Sequence, residues 1–248
     1  MKKISTIIIS VIIILGVFYF WSRKEVVAPV VESTVITDKD INTVMENGEL
    51  CFAKFGLPNN NGYYDKYTLR MILNGEKVTG ELNFLPAEKD SKTGEIEGTV
   101  GEKDATTKVR TADLWWFNFA EGMSAQEQVK IIFNENTANI GFGEVVDRGD
   151  GIYVYKDPQN IAYTLNLAVV SCLDFIKRTN IENYLQDNIS ELSPVKAILG
   201  GTWYVVSITL DLIKNYGTVI YEDGHIQEKK NFTYTLSEKG EVVKLTIQ

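Results

Sequence analysis

Histidine occurs once in this chain of 248 residues and cysteine only twice. One imidazole, His225, and two widely separated thiols, Cys51 and Cys172, do not make a Cys/His metal set or a cysteine–histidine nucleophilic pair. No G-x-S-x-G, H-E-x-x-H, C-x-x-C or phosphate-loop pattern occurs either. No metal or cofactor is therefore expected, and a catalytic role is not favoured. Basic charge is also short. Of 25 Lys and Arg, four lie in the first 24 residues, which leaves 21 against 33 Asp and Glu, a net −12 over the rest. Nucleic acid is excluded as a partner, because phosphate binding needs clustered cations.

One long apolar run is present. Ile4 to Trp21 carries no charge. Eighteen residues at about 1.5 Å each span about 27 Å, close to the hydrocarbon thickness of a bilayer. Tyr19 and Trp21 suit the interfacial belt. A cleaved signal peptide would end in a small-x-small site, whereas this run ends Phe-Trp-Ser-Arg-Lys. Residues 1–24 are read as a membrane anchor, with the N-terminus cytoplasmic and the body extracytoplasmic. Lys2 and Lys3 nearly balance Arg23 and Lys24 across the membrane. The short N-terminal tail and the two cysteines favour this orientation. Residues 25–49 read as a linker containing Pro29, with a short helix over 38–47 stopped by Gly48.

From Cys51 the patterning is β. Strands are expected at Tyr67–Leu73 and Val78–Leu85 around an Asn74-Gly75 turn, then at Glu95–Val100, Asp113–Ala120, Gln128–Phe133, Thr137–Val146 and Ile152–Tyr155. Such a series closes as an antiparallel meander or partial barrel over 50–171. An amphipathic helix follows over 173–192, with Ile181, Leu185, Ile189 and Leu192 at helical spacing and Pro194 after its end. Strands return at Thr202–Leu210, Gly217–Glu222, His225–Gln227, Asn231–Leu236 and Val242–Ile247. Residues 172–248 thus read as an α+β domain, a helix across an antiparallel sheet, the general shape of cystatin-like folds.

The stretch from Leu82 to Val100 contains Glu-Lys-Asp-x-x-x-Gly-x-x-x-Gly, and Glu121-Gly122-x-Ser follows. The C-terminal part contains Gly200-Gly-Thr-Trp-Tyr-Val and Tyr221-Glu-Asp-Gly-His. These segments resemble a group of uncharacterised secreted or lipoprotein β-domains of bacteria. The resemblance implies an envelope location and supplies no chemistry.

Several residues are candidates. Cys51 and Cys172 are read as a disulfide, with buried free thiols as the alternative. Glu222, Asp223 and His225 are read around a type I′ turn, which Asp-Gly favours, with a His–carboxylate site as the alternative. Trp115 and Trp116 point to opposite faces if they lie on a strand. One is then core, and the other lies at a domain interface or a binding surface. Arg148-Gly149-Asp150 reads as a charged turn, and Glu88, Asp90, Glu95 and Glu97 lack calcium-loop spacing. The function expected is a membrane-tethered binding or structural envelope module, its partner an unidentified protein or carbohydrate. A carboxylate-based hydrolase of envelope carbohydrate and an inhibitor-like module stand as alternatives.

Overall fold

The computed structural model describes residues 46–87 and 89–248. The expected anchor and nearly all of the linker lie outside the described residues. Among the described residues no helix is long and apolar enough to cross a membrane. All of them belong to one compact unit.

The first part is an antiparallel barrel of eight strands. Its meander runs β1 (Asn47–Phe55), β2 (Lys66–Asn74), β3 (Lys77–Leu85), β4 (Lys92–Val100), β5 (Arg110–Ala120), β6 (Met123–Phe133) and β7 (Thr137–Phe142). A small hairpin, β8 (Val145–Asp147) and β9 (Ile152–Tyr155), interrupts it, and β9 adds in parallel to β6. Then β10 (Ala162–Val170) pairs with β7 and closes on β1, Cys51–Ala53 lying against Ala168–Val170.

The inward positions follow the period of two. Leu50 and Phe52, Leu69, Met71 and Leu73, Val78 and Leu82, Ile96 and Val100, Leu114 and Trp116, Ile131 and Phe133, and Leu167 fill the interior. Eight strands enclose a space just wide enough for such a filling, so the barrel is a packed core. The spaced glycines of β4, Gly94 and Gly98, face inward. A Cβ there would lie 1.9 Å from the Phe117 carbonyl oxygen and 2.2 Å from that of Asp113. The backbone of β5 closes both positions to any side chain.

Ser171 caps helix α1 (Cys172–Leu192), its Oγ accepting from Asp174 N at 3.3 Å. The helix crosses a second sheet of order β11 (Tyr204–Asp211), β12 (Tyr216–Glu222), β13 (Gln227–Leu236) and β14 (Val242–Ile247), all antiparallel. Ile181, Leu185 and Ile189 pack with Trp203, Val219, Tyr221, Phe232 and Leu245. That apolar stripe explains both the helix and the second core.

The structure corrects several expectations. β1 begins at Asn47, so residues 47–49 belong to the barrel and only Glu46 among the described residues precedes it. The hairpin loop between β2 and β3 is Gly75-Glu76, since Asn74 pairs with Lys77. His225 is not a strand residue. Asp223 N donates to Ile226 O at 3.2 Å, so Gly224-His225 is the loop. Only Gly224 there has positive φ, +87°, whereas a type I′ turn needs it at both loop positions. β10, which completes the barrel, was not anticipated, although Tyr163, Leu165 and Leu167 alternate.

Candidate functional site

Cys51 and Cys172 form a disulfide with Cα atoms 5.2 Å apart. β10 leaves the barrel beside β1, so the first turn of α1 arrives over Cys51. Glu49 is the third member of a grouping with the two sulfurs, but the thiols are spent on each other.

Trp116 is the core member of the tryptophan pair, 2 % exposed, with Phe84 edge-on at 5.0 Å between ring centroids. Trp115 is half-buried on the outer wall, beside Gln128 and Tyr155 in a shallow recess of about 290 Å³. Hydrogen bonds joining the barrel to the C-terminal part are made elsewhere, among them those of Gly62, Tyr63, Tyr64 and Lys66.

Trp115 is one of a row. Phe117 and Phe119 follow at successive outward positions of β5, 41 % and 54 % exposed. The register gives each ring a polar neighbour on both sides. Trp115 lies between Glu97 and Gln128, Phe117 between Glu95 and Gln126, and Phe119 between Thr93 and Ser124. Neighbouring strands are about 4.8 Å apart and same-face residues about 7 Å apart along a strand. The result is an aromatic track about 14 Å long, flanked by carboxylates, amides and hydroxyls.

Glu222, Asp223 and His225 do not converge on a catalytic arrangement. Asp223 is nearly buried and spends both oxygens on backbone. Oδ1 accepts from His225 N and Ile226 N at 2.9 Å each, and Oδ2 accepts from Ile198 N at 2.7 Å. The Ile226 amide first, then those of Ile198 and His225, hold its carboxyl below the ordinary carboxylate range. Glu222 accepts from the Tyr204 hydroxyl and from Gln227 Nε2 at 3.0 Å. His225 is exposed. Asp223 is therefore a turn-forming residue. Its depressed pKa means that its contribution is complete above the unfolded carboxylate value, about 3.9, and is lost as pH falls through the lower folded one. Between neutral pH and about pH 3 the wild type should lose more stability than Asp223→Asn, measured by urea melts at each pH. Equal losses would remove this assignment.

Sequence reasoning missed a second feature. Phe175, Arg178 and Glu182 form a stripe of α1 beside the apolar one, and it faces the outer wall of β1–β3 across a cleft of about 630 Å³. Lys66 and Glu182 also line an adjoining recess of about 300 Å³. Lys66 Nζ donates to Glu182 Oε2, and Arg178 Nη1 stands 3.9 Å from Oε1. Burial first, then the Glu182 charge, push the neighbouring Tyr64 hydroxyl up to about 12, and it donates to Ile208 O at 2.5 Å.

No family model, curated protein or solved structure matches the chain.

Proposed function

We propose that this protein is a non-enzymatic binding module, tethered to a membrane with its body outside the cytoplasm, and that its ligand is extended envelope carbohydrate. The observation that carries the reading is the Trp115–Phe117–Phe119 track with its polar flanks. Aromatic rings offer an apolar face to the C–H side of a sugar, while carboxylates and amides on either hand meet its hydroxyls. The packed barrel interior supports binding on the outside wall. The disulfide supports an oxidising compartment, and the Ile4–Trp21 run supports the tether.

The full-length chain in detergent should co-sediment with insoluble cell-wall polysaccharide. Trp115→Ala should weaken that binding by about thirtyfold, the effect of truncating a central aromatic worth about 2 kcal/mol. Retention of full affinity by the alanine variant removes the track as the binding surface. Release of soluble sugar during the assay would replace the reading with the carboxylate-hydrolase one. Resistance of the full-length protein to carbonate extraction tests the tether separately.

A further inference from the structure

The cleft between the barrel wall and α1 is a built polar site with unspent hydrogen-bonding capacity. Glu182 is 7 % exposed, and its Oε1 finds no hydrogen-bond donor among the described residues. A buried carboxylate oxygen left so destabilises the folded state, and a ligand donor would recover that loss. Arg178 adds the complementary group. Its guanidinium lies over the Phe55 ring at 4.9 Å, and its side chain is 21 % exposed. Among the described residues it makes an ion-pair approach to Glu182 at 3.9 Å, too long for a hydrogen bond. The other acids of the cleft are answered by cations, Glu81 by Arg70 at 3.8 Å and Asp174 by Lys177 at 3.6 Å. The site thus presents one orphan acceptor beside one planar fork of donors, in a volume suited to a single small ligand.

Its floor continues into the aromatic track. Thr68, Asn83, Thr93 and Phe119 are consecutive partners across β2, β3, β4 and β5, all facing outward. Thr68, Asn83 and Thr93 line the cleft, and Phe119 is the next residue of the same row. Three strand spacings, about 14 Å, separate Thr68 from Phe119.

We infer that the cleft seats a terminal sugar residue bearing a C=O acceptor, an acetamido or a carboxylate group, which accepts from Arg178 while a neighbouring hydroxyl donates to Glu182 Oε1. This rests on the glycan reading above and gives it an end and a direction. A hydroxyl-rich ring supplies the donor, the carbonyl oxygen satisfies the guanidinium fork, and Phe55 and Phe175 offer apolar contact.

The test is calorimetric titration of the full-length chain in detergent with N-acetylglucosamine, glucuronate and glucose, alongside polysaccharide co-sedimentation of the same preparation. One of the two carbonyl-bearing sugars should bind at least about tenfold more tightly than glucose, and which one it is distinguishes an acetamido from a carboxylate ligand. Arg178→Lys keeps the charge but not the fork, and should abolish that preference. Equal binding of all three sugars, no binding by any, or a preference unchanged in Arg178→Lys overturns the inference. The co-sedimentation result reports on the aromatic track independently. Polymer binding without a monosaccharide preference refutes the cleft alone. A preference without polymer binding refutes the track alone.

Discussion

Replacing Cys51 and Cys172 together with alanine should lower the unfolding free energy by about 4–5 kcal/mol. The bond closes a loop with a sequence separation of 121, which holds all of the barrel but the start of β1. In the chain-entropy account, a cross-link of that span removes many conformations from the unfolded ensemble. Its position adds a native-state role. The barrel closes where β1 meets β10, along Cys51–Ala53 and Ala168–Val170, and Cys172 lies two residues beyond that seam. The link therefore fastens the strands that are farthest apart in sequence and fixes the start of α1 over the wall. For a body of this size the melting midpoint should fall by roughly 10–20 °C. Reducing the wild type before the melt should reproduce most of the shift. Coincident midpoints for oxidised wild type and the double variant would show that the closure seam and the helix interface suffice without the bond.

Much of the fold was legible because its signals are periodic and local. β5 could be read as a strand because Trp115, Phe117 and Phe119 alternate, and the structure puts those three on one face with Trp116 on the other. The helix was legible from Ile181, Leu185 and Ile189, all of which are buried against the second sheet. Closure was not. A meander and a closed barrel have the same strands, and the difference is the pairing of β1 with β10 across more than a hundred residues. β10 itself was hidden by its composition. Its register shifts between Tyr163 and Leu165, which breaks the alternation, Asn166 and Ala168 are exposed, and only Leu167 is fully buried.

The candidate site was less legible, for a physical reason. A strand period says that Trp115 and Trp116 face apart but not which one faces in. That choice is set by neighbours on other strands, by Phe84 on the inner side and Glu97 and Gln128 on the outer. The cleft left no sequence signal. Arg178 and Glu182 are four apart on a helix, a spacing that reads as an ordinary exposed ion pair. Only the arrival of Lys66 and the barrel wall buries Glu182 and leaves one of its oxygens without a donor. The Glu222–Asp223–His225 segment shows the reverse case. Its sequence allows a His–carboxylate grouping as well as a turn, and its carboxylates are used on a turn and on neighbouring side chains.

Trp116→Ala should cost about 3–5 kcal/mol, the range for truncating a large buried aromatic where the surroundings relax only in part. The indole is 2 % exposed, packs edge-on to Phe84, and has the Lys92 ammonium 4.8 Å from its ring centroid. Lys92 is in turn ion-paired with Glu127. Truncation therefore removes apolar contact and the π face beneath a partly buried cation. Trp116→Phe separates the terms. The indole Nε1 has no acceptor among the described residues, a burden of about 1–3 kcal/mol on the folded state. Phenylalanine keeps an aromatic face for Phe84 and Lys92 and removes the orphan donor, so it should recover most of the alanine loss and leave at most about 2 kcal/mol. Urea unfolding of the two variants at one pH decides the matter. Equal losses for alanine and phenylalanine would mean that the indole nitrogen is satisfied within the barrel, and that the shape of this one side chain, rather than its apolar bulk, sets the packing at that end.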